Sequence, residues 1–335
     1  MKQLCPNGRW RFPVCFITNG GGVPEAHKAQ QLSKWLGVPV GEQQVVLSHT
    51  PMRPLAAALG QQPVLVVGRH EVAAVAASYG FSKVLTTRQL AAALGPGALP
   101  FLKHSAAAAG RQPDPAGAGG VSPVRDLGWG SEQQPIAAVL VCSDPAGSDW
   151  YQDLQLLTDV ITSHGVPSRT QPVPGSQPVQ LFFSNPDLVW ATDYPRPRFG
   201  QGAFSTMLAA VHSRLTGTPL PNAKWFGKPN PEPYRIAEQL LLQQAVQLGL
   251  ADAAAGTAPG TIFSSIFAVG DNPAADVRGA NQAGAPWVSV LVRSGVFTGA
   301  GNDCQDPAHL VVDDVAAAVA AALHRARSSR WHSMR

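Results

Sequence analysis

The chain has 335 residues, 45% of them apolar, with a formal net charge of +4 and only 14% charged residues. That length accommodates one large domain or two ordinary ones around a sizeable core. It speaks against a nucleic-acid binder: aromatic and basic residues are nowhere interleaved, and the one basic cluster, His324 to Arg335, reads as a solvated tail.

The four cysteines, Cys5, Cys15, Cys142 and Cys304, have no Cys-x-x-Cys spacing. They predict neither a disulfide framework nor a metal cluster, and a reducing compartment is the default. No apolar stretch reaches the roughly 18–20 residues of a membrane span. Residues 1–12 carry Lys2, Arg9 and Arg11 but no apolar run, so they do not read as a secretory signal.

In chain order, Pro13–Gly22 reads as a buried strand ending in a Gly-rich turn, and residues 24–36 as an amphipathic helix with Ala29, Leu32 and Leu36 on one face. Such a βα unit presents polar groups at the carboxyl end of its strand, where open α/β sheets place ligands. The pattern recurs: strand Gln43–His49, helix near Leu55–Leu59, strand Pro63–Gly68, helix His70–Gly80, strand Phe81–Thr87. Residues 105–134, rich in Ala, Gly, Pro and Ser, read as a loop or insertion. Strand Pro135–Asp144, helix Asp153–Gly165, strand Val179–Trp190 and helices Gly202–Gly217 and Pro231–Gly249 follow. After a Gly/Ala loop come strand 264–270, helix 274–284, strand Pro286–Val292, strand His309–Asp314 and a last helix from Val315. Strands alternating with helices predict an α/β fold built on parallel sheets.

Three places carry candidate chemistry. In Gly270-Asp271-Asn272-Pro273-Ala274-Ala275-Asp276, a strand feeds a tight turn that aims the Asp271 carboxylate out of the sheet edge. Asp276 follows in the first helical turn, and two hard carboxylates suit Mg²⁺, which takes one or two of them plus substrate phosphate. The plainer alternative is a helix start whose dipole the aspartates stabilise. Lys228, in a Gly-Lys-Pro turn before a helix, can be aimed inward to neutralise phosphate charge. Thr18 and Asn19, followed by Gly20, end the first strand, where a hydroxyl and backbone N–H groups can hold a phosphoryl oxygen; an ordinary hydroxyl turn is the alternative.

Thr18, Lys228 and the Asp271/Asp276 pair, in that order on those strand ends, resemble the second, third and fourth motifs of the haloacid dehalogenase-like hydrolase superfamily. ITNGGG, LSHTP, FFSNPDLVWA, RFGQGAF, GKPNP and VGDNPAADVRGA are further similar to its C2-capped subfamily IIA, in the branch of cat eye syndrome critical region protein five-like hydrolases. The resemblance runs from Pro13 to about Leu323. It implies a Rossmann-like parallel-sheet core of residues 1–47 and 222–335, with an α/β C2-type cap of residues 48–221 inserted. It implies Mg²⁺-dependent hydrolysis of a small phosphorylated metabolite, with Asp271 and Asp276 toward the metal, Thr18, Asn19 and Gly20 toward phosphoryl oxygens, and Lys228 on their charge. Ser184, Asn185 and Asp187, closing the last expected cap strand, are candidates for facing substrate. A mitochondrial or other organellar location is implied too, with the cytoplasm as the default otherwise. A homodimer is one assembly open to it; no nucleic-acid partner and no membrane span are expected.

The chain departs from that pattern in one respect. The family's first motif is an apolar strand ending in Asp-x-Asp, the nucleophile and the general acid–base. Only 17 residues precede Thr18, none is aspartate, and no Asp-x-Asp occurs in the chain. Ser143-Asp144-Pro145 and Asp313-Asp314 do not fit it. The family's sheet places that strand between those carrying Thr18 and Asp271, so two parallel edges are expected to lie open. The reading favoured on sequence is an N-terminally incomplete phosphatase. The alternative is a catalytically inactive member that binds a phosphorylated ligand or serves as a scaffold. A nicotinamide oxidoreductase is disfavoured, since no Gly-x-Gly-x-x-Gly turn follows a strand.

Overall fold

The computed structural model describes residues 3–95, 97–101, 129–145, 150–251 and 262–332, with 326–332 as backbone alone. The stretch expected as a loop or insertion falls mostly outside them; its described end, 129–134, is turn and bend. The first elements are β1 (Phe16–Ile17), α1 (Glu25–Leu36), β2 (Val45–Val46), α2 (Ala56–Leu59), β3 (Pro63–Val67), α3 (Val72–Ser78), β4 (Lys83–Thr86) and α4 (Thr87–Leu94). Next come β5 (Ala138–Val141), α5 (Trp150–Thr162), β6 (Gln180–Phe183), a β7–β8 hairpin (Val189–Trp190, Arg198–Phe199), α6 (Gln201–Thr216) and β9 (Ala223–Trp225). The chain closes with α7 (Glu232–Gln247), β10 (Ile266–Gly270), α8 (Arg278–Ala283), β11 (Trp287–Val292), β12 (Leu310–Val312) and α9 (Val315–His332).

β3, β4, β5, β6 and β9 form one parallel sheet in the order β4-β3-β5-β6-β9. Its central strands are buried along their length, as continuous Val/Leu/Phe runs dictate when helices cover both faces. Alternation sorts them. Leu65, Val67, Val139, Val141, Leu181 and Phe183 meet Leu156, Leu157, Phe204 and Leu208 of α5 and α6. Val64, Val66, Ala138, Leu140 and Phe182 meet Val72, Val75 and Ala76 of α3 on the other face. Ala223–Trp225 forms β9 and pairs with β6. So the strand carrying Ser184 and Asn185 at its end is not the last of its sheet. Helix α9 continues through His332 and carries the described part of the basic cluster.

Segments on either side of this unit build two smaller sheets. β1 pairs with β2, and β10 with β11 and β12, all parallel. Among the described residues no strand joins these sheets. Helix α7 spans them: Tyr234, Ala237 and Leu241 pack on Ile266 and Trp287 of one and against Cys15 and Ile17 of the other. On the opposite face of β10, Phe267 packs with Ala318 of α9.

Candidate active site

Asn19 organises the carboxyl end of β1. Its side-chain amide donates to Asp187 Oδ2 at 3.0 Å and to the Lys228 carbonyl at 2.9 Å, while its oxygen accepts from Lys228 N at 2.8 Å. The Asn19 carbonyl accepts from Asn185 Nδ2 at 3.0 Å. One amide thus ties the β1 loop, the turn after β6 and the Gly-Lys-Pro turn together. Gly227 makes this closeness feasible. Its φ is +70°, and a Cβ there would stand 2.5 Å from the Ser184 carbonyl and 2.9 Å from Asn19 Oδ1. Thr18 Oγ1 accepts from Gly20 N at 3.0 Å, the hydroxyl turn foreseen as the plainer reading.

Lys228 reaches inward, its side chain 13% exposed. Its Nζ donates to the Ile17 carbonyl at 3.3 Å and to Asp276 Oδ1 at 2.5 Å. The second Asp276 oxygen accepts from Asn272 N at 3.0 Å, and Asn272 caps the following turn through Ala274 N. Asp271 Oδ2 accepts from Val296 N at 2.7 Å, and no hydrogen bond engages its Oδ1 among the described residues. Burial pushes the Asp187 carboxyl above its ordinary range, against the Asn19 hydrogen bond and the Lys228 charge. Asn19, Asn185, Asp187, Lys228 and Asp276 are therefore one connected group, and Asp271 stands on its rim. Ser184 is enclosed instead, 0% exposed, its hydroxyl bonded to Ser48 and Gln201. It holds the loops in place and faces no open space.

Beside Asn19 lies a cavity of about 120 Å³, lined by Asn19, Gly20, Lys28, Arg69, His70, Ser143, Asp144 and Asn185 among others. Arg69 bridges to Asp144 at 2.9 Å, and its backbone N–H donates to Ser143 Oγ at 3.0 Å. Partial burial pulls the Lys28 ammonium below its usual value. Arg69 was not a candidate on sequence, and Ser143 and Asp144 were weighed only against Asp-x-Asp. The signal was available, for each lies just past the carboxyl end of a buried parallel strand, where crossover topology gathers ligand-facing groups.

A haloacid dehalogenase-like hydrolase family model matches residues 2–82, and a second, HAD-hydrolase-like model matches 225–318. A mitochondrial hydrolase of Saccharomyces cerevisiae is 32% identical over 336 residues, 95% of this chain and 88% of its own. The chain belongs to the haloacid dehalogenase-like hydrolase family. A cardiolipin synthase/mitochondrial hydrolase fusion protein of Schizosaccharomyces pombe is 34% identical over 86% of the chain, which spans only 44% of that relative. Among solved structures, a hypothetical protein of Pyrococcus horikoshii has a TM-score of 0.54 at 15% identity, covering 90% of this chain and 83% of that one. A glycerol phosphate phosphatase of Mycobacterium tuberculosis in complex with magnesium has 0.51 at 18%, covering 95% and 70%. At such identities these two establish a shared α/β fold.

Proposed function

We propose that this hydrolase supplies the phosphate-binding and metal-carboxylate half of a Mg²⁺-dependent phosphatase site for a small phosphorylated metabolite. The carrying observation is the Lys228–Asp276 pair held against the end of β1, beside Thr18, Asn19 and Gly20. Lys228 would neutralise the ester's phosphoryl charge. The Gly20 turn and the amides around it would receive phosphoryl oxygens. Asn19 orients Lys228 from both sides of its peptide, and Asn185 and Asp187 fix Asn19. The structural neighbour named a glycerol phosphate phosphatase agrees with this reading.

The donor set suits Mg²⁺ in one specific sense. Among the described residues no three ligating side chains cluster. Asp271 and Asp276 offer hard oxygens, one of them without a hydrogen bond, and Mg²⁺ is commonly held by one or two carboxylates, water and substrate phosphate. Bound there, it would supply charge for the phosphoryl group. The relatives named mitochondrial hydrolases support a mitochondrial setting. The absence of Asp-x-Asp from these 335 residues favours a second reading, a phosphate-ligand binder without turnover.

Calorimetric titration with orthophosphate, with and without Mg²⁺, tests the shared part. We expect Mg²⁺-dependent binding that Lys228→Met and Asp271→Asn each weaken at least tenfold. Binding unchanged in both variants would remove the site. Turnover of small phosphomonoesters then separates the phosphatase from the binder.

A further inference from the structure

The cavity beside Asn19 shares Gly20 with the turn that would receive phosphoryl oxygens, so one small molecule reaches both. Its walls come from three loops: Asn19 and Gly20 after β1, Arg69 and His70 after β3, and Ser143 and Asp144 after β5. Its volume of about 120 Å³ matches about four waters of liquid, at roughly 30 Å³ each. That is the size of one oxyanion on a short carbon link, and too small for a sugar ring or a nucleobase.

Charge sorts the occupants. Lys28 of α1 and Arg69 are cations in the lining, and Asp144 is the one carboxylate among the described residues there. Asp144 is committed to Arg69 Nη2 through its Oδ2. Lys28 Nζ has Gln31 Oε1 at 2.7 Å and the Trp35 ring at 5.0 Å, and no carboxylate partner among the described residues. Partial burial disfavours its charge, a cost that an incoming anion offsets.

Arg69 is held in place before any ligand arrives. Ser143 accepts from its peptide N–H, Asp144 from its Nη2, and the Trp190 ring stands 5.9 Å from its Cζ. Its Nε and Nη1 donate to nothing among the described residues. The next peptide N–H, that of His70, has no acceptor among them either. His70 sits at φ +68°, a left-handed conformation uncommon outside glycine, and the turn is tied down where Glu71 N donates to the Gly22 carbonyl at 2.7 Å. A fixed guanidinium edge, an ammonium and a peptide N–H around so small a space suit an oxyanion. A neutral diol would leave the Lys28 charge unpaired, and a cation would meet two like charges.

We propose that this cavity binds a second anionic group, a carboxylate or a phosphate, on the alcohol portion of the substrate, with Arg69 and Lys28 as its partners. The substrate class is then a small phosphorylated hydroxy acid or a small bisphosphate. The proposal rests on the phosphatase reading for the seat of the first phosphate, at the Gly20 turn.

The test is titration calorimetry of the full chain with Mg²⁺. Carboxyalkyl phosphates with one to three methylenes are compared with their carboxyl methyl esters, which keep the shape and lose the charge. The matching alkane bisphosphates place a phosphate where the carboxylate was, and 2-aminoethyl phosphate reverses the charge. At one chain length or more, the acid or the bisphosphate is expected to bind at least tenfold tighter than the ester, and whichever binds tighter names the group. Arg69→Met, at a side chain 41% exposed, is expected to keep the melting temperature and bring that ratio close to one. Lys28→Met, on a different element, is expected to lower the ratio at least threefold, and it carries the test if Arg69→Met fails to fold. Equal binding of acid, bisphosphate and ester at every length, a preference for 2-aminoethyl phosphate, or a ratio unchanged in either folded variant would each overturn the proposal. Orthophosphate separates the two readings. If it binds while the charged probes only match the ester, the second-anion site falls and the phosphate site stands. If orthophosphate does not bind, the phosphatase reading falls and takes this proposal with it.

Discussion

At the scale of single residues, the loop after β1 rests on a buried polar cluster. Tyr79 Oη donates its one proton to Glu25 Oε1 at 2.6 Å, so His49 must donate from Nδ1 to Tyr79, a bond of 2.7 Å. Burial lowers the His49 pKa from 6.5 to about 4, against the pull of the Glu25 carboxylate. Between these values the unfolded chain binds a proton that the folded chain refuses. The His49 contribution to stability is therefore expected to be lost as pH drops from 6.5 to about 4 and to change no further below. The contribution is at most about 3.5 kcal/mol, from ~1.4 kcal/mol per pKa unit. Urea midpoints across that window should show it, and His49→Gln should flatten the slope. Gly21 packs directly above. A Cβ there would meet the Cys142 carbonyl at 2.4 Å, Ser48 Oγ at 2.7 Å and His49 Cδ2 at 2.8 Å. Gly21→Ala is expected to cost about 1–3 kcal/mol by overpacking, read from urea unfolding; an unchanged midpoint would mean the loop yields freely.

At the scale of elements, caps and staples decide what propensity leaves open. Helix α4 begins directly after β4, and its start is set by a capping box: Gln89 N donates to Thr86 Oγ1, and Thr86 N to Gln89 Oε1. Thr86→Ala is expected to cost about 1 kcal/mol and Thr86→Ser to restore most of it, measured by thermal unfolding. Asn19 acts between elements rather than within one. Asn19→Ala removes its side-chain bonds to Asp187 and Lys228, each worth about 1 kcal/mol net. Phosphate binding should weaken with it, whereas far-UV circular dichroism should not change, since no strand or helix depends on that side chain.

At the scale of the whole molecule, burial is unevenly shared. The five-stranded sheet has a continuous core on each face, while the smaller sheets are two and three strands wide, with β1 half-buried and β10 partly exposed. Hydrogen exchange should therefore be slowest in β3, β5 and β6 and markedly faster in β1 and β10. Uniform protection would show that the small sheets are stabilised by something beyond these contacts. No helix among the described residues is long and apolar enough to cross a membrane.

Much was legible beforehand for a local reason. Apolar runs such as Pro63–Val67 and Ala138–Val141, β-branched and bounded by Gly-rich breaks, read as buried strands, and Lys228 and the Asp271/Asp276 pair each announce themselves in a short local turn. Elements with weak local signatures were not read: β9 is three residues long and gains its place by pairing with β6, and α4 is hidden in an Ala-rich run. The tertiary structure alone decided which polar groups meet. Ser184 and Asn185 are neighbours in sequence, yet in the turn after β6 one is sealed in a hydrogen-bonded network with Ser48 and Gln201 and the other holds Asn19. Arg69, Ser143 and Asp144 come together only through the strand order β3-β5, a long-range pairing that no local pattern specifies. The sequence alone shows that the chain holds no Asp-x-Asp. That the strands of Thr18 and Asp271 line one apolar groove is a property of packing, since only folding brings residues 17 and 269 to the same space.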